Sequence, residues 1–369
     1  MDYRAGLTAS TSIIDGPRTG CVRAEQAIFT SIRTPMGEGY RLIAMSPGIT
    51  SEERAEITRR SPSHGSLCDP DPAASALSSY PLATQRQCVA WTRYAGREHT
   101  ARGGQRVHTH LAVLDPEGFA AMACDPFRVH AAMQQIIGDK PCLQPATCMD
   151  TLELPVADLA GAAFGADMVS VEHACRMVAA LLNHDVMLVV GAVSPVDTVR
   201  TMFAILPQAW RVNLSLSANL QYAPARQFQL TCVGRYTPEL QRAVQGQDVH
   251  VLDLGSSAAP EPCGCDAWFE FTRERQRQGR FAECVALADQ LDGQVDGPTL
   301  DRVVAICRDA DRIESSSQDG LEQLVTAYAK AAANHPLEKH LIRNLISAAV
   351  RRASQLQHPV GVAVPAAAH

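Results

Sequence analysis

The sequence predicts an α+β protein in three successive parts: an N-terminal antiparallel sheet domain over 24–138, an α/β middle domain over 170–255 and an all-helical C-terminal segment over 266–356. Three observations predict this. Between 25 and 138, β-rich runs broken by Gly- and Pro-containing turns outnumber helical ones. From 170 onward, helical apolar stripes alternate with short continuous apolar runs, as for strands buried on both faces. Beyond 266 the apolar residues recur at helical spacing alone. At 369 residues the chain exceeds one ordinary core, so several domains are the default.

Taken in order, residues 1–23 are rich in Thr, Ser, Gly and Arg without periodicity and read as a loose tail. Two β-rich runs, 25–33 and 39–46, are joined by Thr34-Pro35-Met36-Gly37-Glu38-Gly39, whose proline and glycines are hairpin chemistry. Ser46-Pro47-Gly48 ends the second strand, and Thr50-Ser51-Glu52-Glu53 is a capping box that opens a helix reaching Arg60. Pro62 and Gly65 stop it. Strands follow at 78–82, 86–94 and 106–115, then a short helix from Pro116 and a longer one over 126–137, closed by Gly138. The order is β-β-α-β-β-β-α, a five-stranded antiparallel sheet covered by helices.

Residues 139–169 are punctuated by Pro, Thr and Gly and read as a linker. Ala174, Met177, Val178, Leu181 and Leu182 form a helical stripe, and 186–193 is an unbroken apolar strand. As part of a core stripe, Leu181 predicts a loss of roughly 2–5 kcal/mol on replacement by alanine. A helix ending at Pro207, strands at 211–217 and 228–233, a helix over 237–244 and a strand at 249–254 complete the middle domain. Five helices are expected in the C-terminal segment, with stripes such as Leu321, Leu324, Val325 and Tyr328, and the tail from 357 is expected to fray.

A formal charge of −6 and a pI near 6.1 argue against a dedicated nucleic-acid binder. No apolar run reaches the roughly 18 residues of a membrane helix and the first twenty residues hold no signal-like apolar core, so a soluble cytoplasmic protein is expected. The twelve cysteines are scattered and read as small buried hydrophobes in a reducing compartment.

No catalytic motif is present. The chain lacks G-x-x-x-x-G-K-[ST], a G-x-G-x-x-G after a strand, H-E-x-x-H and G-x-S-x-G. Cys263-Gly264-Cys265 is a lone pair, Cys142 and Cys148 lack a second pair, and His108, His110, Cys124 and His130 do not define a four-ligand set, so no metal is expected. Gly191-Ala192-Val193-Ser194-Pro195 resembles a phosphate-facing turn only loosely. His64, in Ser61-Pro62-Ser63-His64-Gly65, has no partner nearby in sequence and reads as a loop histidine rather than a base. Arg33, Glu38 and Tyr40 flank the hairpin turn, and Arg59, Arg60, Ser61 and His64 close the following helix. Because that helix runs back over the sheet, both loops are expected at one end of the domain, as binding loops on a rigid scaffold are. These seven residues are the candidate partner contacts; no catalytic or cofactor-binding residue is expected.

Glu25-Gln26-Ala27-Ile28-Phe29-Thr30-Ser31, with Gly39-Tyr40, Ser46-Pro47-Gly48, Ser61-Pro62 and Asp125-Pro126-Phe127, resembles the N-terminal domain, of type 2, of the bacterial GTPase-associated protein 1 family. Leu206-Pro207, Arg211 and Leu214-Ser215-Leu216-Ser217 are similar to that family's middle domain, so the resemblance spans about 25–255. It implies a non-enzymatic regulatory or scaffold protein that works with a small GTPase in bacterial signalling or conflict systems. The strand order is also similar to longin domains, and with an α/β domain behind it resembles exchange factors of the DENN class. A cryptic hydrolase using His64 or a cysteine is the alternative from another class.

Overall fold

The computed structural model describes residues 20–34, 37–98, 103–138, 141, 147–156, 168–256, 261–331, 333 and 335–357. Most of the expected tails at 1–23 and 357–369, and much of the expected linker, lie outside the described residues; residues 21–23, expected in the first tail, instead open a strand, and Gln357 ends a helix. The chain divides into two compact units: one contains the sheet and residues 272–292, the other residues 264–271 and 293 onward.

The sheet unit opens with β1 (Cys21–Thr34) and β2 (Gly37–Met45), then α1 (Ser51–Arg60). Three strands follow, β3 (Ser75–Pro81), β4 (Gln87–Arg97) and β5 (Gln105–Leu114), then α2 (Pro116–Ala121) and α3 (Pro126–Ile137). These five strands pair antiparallel in the order β3-β4-β5-β1-β2. Alternation decides the faces. Ala27, Phe29, Tyr80, Cys88, Ala90, Leu111 and Val113 point to one side and form a core with Ile57 of α1 and Ile49. On the other side His130 of α3 packs edge-on against Trp91, with ring centroids 5.1 Å apart.

Local chemistry explains the helix boundaries. Thr50 caps α1 by accepting from the Glu53 amide while the Glu53 carboxylate accepts from the Thr50 amide. Asp115 and Asp125 cap α2 and α3, each with proline at the first helical position.

The expected N-terminal and middle domains share one sheet. After β6 (Leu152–Pro155) and α4 (Met168–Asn183) come β7 (Met187–Val190), α5 (Pro195–Ile205), α6 (Gln208–Arg211), β8 (Leu216–Ala218), β9 (Leu230–Cys232), α7 (Pro238–Val244) and β10 (His250–Asp253). β10, β7, β9 and β8 are parallel neighbours, and β8 pairs antiparallel with β3 through Leu77↔Ala218 and Ser79↔Leu216. The result is a single mixed 10-stranded sheet, with β6 inside the expected linker and paired to the start of β1.

Two local expectations are corrected. Arg211 does not begin a strand: it ends α6 and is 1% exposed, because its guanidinium donates to the carbonyls of Leu206 and Ala123. On α4, Ala174, Met177 and Val178 are buried, but Leu181 is half-buried and Leu182 is 41% exposed. The stripe runs out in the last turn, so Leu181→Ala should cost only about 1 kcal/mol in a denaturant titration, in proportion to the smaller area it loses.

α8 (Asp266–Arg277) carries the chain from the helical unit back to the sheet unit, where α9 (Phe281–Ala288) lies. Residues 272–292, expected among the C-terminal helices, therefore belong with the sheet; Arg273 pairs with Glu172 of α4 at 2.6 Å. The helical unit continues with α10 (Gly297–Arg312), α11 (Gln318–Ala329) and α12 (Pro336–Gln357), which bury Leu321, Leu341 and Leu345. No described helix is long and apolar enough to cross a membrane.

Candidate functional site at one end of the sheet

The β1–β2 register sets Arg33 opposite Glu38 and Ser31 opposite Tyr40. Arg33 Nε and Glu38 Oε1 lie 2.9 Å apart with the arginine side chain 75% exposed, a cross-strand ion pair that contributes only a few tenths of a kcal/mol. Tyr40 is held differently. Its ring stacks on Phe29 at 6.0 Å, and its hydroxyl donates to Glu98 Oε2 at 2.6 Å while accepting from the Val107 amide at 3.1 Å. The other Glu98 oxygen accepts from Ser31 at 2.7 Å. Burial, then the hydrogen bond to Glu98, pushes the Tyr40 phenol well above its ordinary value of 10.0, so it remains a donor.

Glu98 belongs to the segment joining β4 to β5, whose ends are pinned by the Glu98 amide donating to the Gly104 carbonyl. Gly104 in turn meets the loop that follows α1. A Cβ added there would stand 3.0 Å from His64 Cε1, and Gly104 has a φ of +83°, so the backbone conformation calls for glycine. The loop around His64 is tied down by Ser66: its hydroxyl accepts from the Ser63 amide at 3.1 Å and from Arg226 at 2.6 Å, and its carbonyl accepts from the Gln221 amide. The hairpin, the β4–β5 connection and the loop after α1 therefore meet at one end of the sheet.

The seven expected contacts divide. Arg33 and Glu38 are outward at the hairpin tip, Tyr40 is anchored behind them, Arg59 is exposed and His64 sits on the Gly104 backbone. Arg60 turns inward: it pairs with Glu56 at 3.2 Å and lies 4.7 Å over the Tyr80 ring. Ser61 caps α1, its amide donating to the Ile57 carbonyl, and its hydroxyl is buried. Both complete the core edge rather than an exposed face. The residue missed was Glu98. Its signal was an acid beside a glycine-rich loop with two hydroxyls, Ser31 and Tyr40, in register across the neighbouring strands.

The other sequence candidates separate. His110 shares a hydrogen bond with Gln26 at 2.8 Å, His130 packs on Trp91, and Cys124 accepts from Gln208, so they do not converge on one point. Burial, with His108 and Arg93 nearby, holds His110 down at about 3; burial and Arg200 hold His130 at about 4. Both are neutral core histidines at neutral pH. At the Gly191–Pro195 turn, Ser194 caps α5 and the Asp197 carboxylate, paired with Arg200, already occupies the helix N-terminus, which disfavours an incoming anion. Among the described residues no cysteine is disulfide-bonded.

Residues 23–134 match the family model of GTPase-associated protein 1, N-terminal domain type 2. The match covers all three converging loops and stops short of residues 170–255, where the middle-domain likeness was read. No curated protein matches the chain. The five-stranded N-terminal portion with its three-loop end is thus the part of the chain that is similar to the GTPase-associated protein 1 N-terminal domain of type 2.

Proposed function

We propose that the three-loop end of the N-terminal sheet binds a small GTPase, and that the protein serves it as a non-enzymatic regulator or scaffold in a bacterial signalling or conflict system. The observation that carries this is the match of residues 23–134 to a domain family described by association with a GTPase. The geometry agrees with a recognition role. Glu98 takes both of its hydroxyl donors from the sheet and fixes the base of the hairpin, which leaves Arg33 and Glu38 as a charged rim on a rigid support. His64 has its Nδ1 buried without a hydrogen-bond partner among the described residues, which lacks the orienting group a catalytic base uses.

Co-purification with a small GTPase encoded beside this protein tests the reading in GDP-bound, GTP-analogue-bound and nucleotide-free states. Arg33→Glu should weaken binding by roughly five- to tenfold, as for a rim charge, with the melting curve unchanged. Absence of binding in all three states would sink the proposal. A second reading, nucleotide exchange, draws support from the strand order β3-β4-β5-β1-β2, which suits a longin-like unit, with parallel strands attached. It requires faster release of labelled GDP on addition of the protein. A hydrolase would instead turn over substrate alone and lose that turnover in His64→Ala.

A further inference from the structure

Away from the three-loop end, the sheet unit brings together three groups from distant parts of the sequence. His184 follows the last turn of α4, where its amide donates to the Ala180 carbonyl. His250 opens β10, where its amide donates to the Val186 carbonyl ahead of β7. Their rings stack face to face, with centroids 3.8 Å apart and planes 9° from parallel. Glu261 closes the group: Oε2 lies 3.0 Å from His184 Nε2 and Oε1 lies 3.6 Å from His250 Nε2. Asn183 also donates to Glu261 Oε2, at 3.3 Å, and to the Pro262 carbonyl, at 3.2 Å. One donor atom from each of the three residues falls within 4.8 Å of the other two.

We propose that His184, His250 and Glu261 form a binding site for a divalent transition-metal cation of the zinc class. Two imidazole nitrogens and one carboxylate are a recognised ligand set for such an ion, with water in the remaining position. Each histidine presents the same nitrogen, Nε2, to the same carboxylate, so the three donor atoms cluster on one side of the stacked pair. Bonds of about 2.0–2.1 Å from both nitrogens require the stacked rings to splay toward the ion. The side chains have room to do so, being 33% and 25% exposed. Asn183 fixes the carboxylate from behind, the outer-shell role that orients a ligand. Binding would clamp the segment at Glu261 onto β10, the edge strand of the sheet, and stabilise the folded unit by mass action.

The test uses the full chain, stripped with a chelator and titrated with Zn²⁺ alone by calorimetry, and with Co²⁺ by visible absorption. One equivalent is expected to bind at this site, and His184→Ala, His250→Ala and Glu261→Gln should each weaken it by roughly tenfold or more. The Co²⁺ spectrum should show ligand-field bands without thiolate charge transfer, and Cys263→Ser should leave it unchanged. If a histidine variant fails to fold, Glu261→Gln, isosteric and with its side chain 41% exposed, still decides the matter. Absence of uptake, a thiolate spectrum at this equivalent, or uptake that survives Glu261→Gln undiminished would overturn the proposal.

Discussion

Asp289→Ala is expected to lower the stability of the sheet unit by about 3–5 kcal/mol, the loss seen when one partner of a buried ion pair is removed. Asp289 follows α9 and accepts from Arg211 Nη1 at 2.7 Å and from Arg128 of α3. Arg211 is 1% exposed, and the Leu206 and Ala123 carbonyls that also accept from it carry no net charge. Asp125, itself 4% exposed, lies 3.7 Å from Arg128 and completes a quartet of two cations and two anions. Burial raises the Asp125 carboxyl, and Arg211 and Arg128 counter that rise. Deleting Asp289 leaves two guanidinium groups facing one such carboxylate, one of them the buried Arg211 and the other Arg128, whose side chain is 17% exposed. Urea titrations of the wild type, Asp289→Ala and Asp289→Asn measure it. Asn keeps an acceptor and should lose less than Ala; equal and small losses would show that the pair carries no net weight.

Glu53→Gln should remove on the order of 3 kcal/mol at neutral pH and flatten the acid side of the stability profile. Burial works to raise the Glu53 carboxyl, which is 1% exposed, yet hydrogen bonds from Arg86, Thr84 and the Thr50 amide outweigh it and hold it at about 2, against an ordinary 4.5. A carboxyl whose folded value is depressed adds stability that is complete above the unfolded value. That stability is lost as pH falls through the folded one, so the window here runs from roughly 4.5 down to 2. Glutamine still completes the capping box, so the variant isolates the charge from the cap. Denaturant titrations at pH 7, 5 and 3 should show the two proteins converging at the acid end. Parallel curves would mean that the Arg86 pair, 2.6 Å apart, is energetically idle.

Much of the fold was legible because its signals are local. The Thr50 box, the Asp-Pro caps of α2 and α3 and the alternation along β1 and β5 act within a few residues, and the elements form where those signals stand. What escaped was nonlocal. Strands were expected near β8 and β9, but not that Ser217 meets both Ser78 of β3 and Thr231 of β9, which joins the two expected domains in one sheet. Leu181 looked like its neighbours on the stripe because periodicity does not reveal where a helix outruns its covering layer. At the site, the convergence of the hairpin and the Ser-Pro loop followed from chain direction alone. Glu98, which binds Ser31 and Tyr40, did not, since a carboxylate in a glycine-rich loop carries no mark of burial.

The pairing of β3 with β8 bears on modularity. The stretch that matches the domain family ends at residue 134, but the hydrogen-bond ladder of its sheet does not. A fragment cut at that boundary would strip β3 of its outer neighbour and turn Leu77 to Ser79 into a bare edge, the kind of surface on which strands of other chains add. The three-loop end and the integrity of the sheet thus have different footprints along this chain. The stretch that matches the family is shorter than the sheet to which its strands belong.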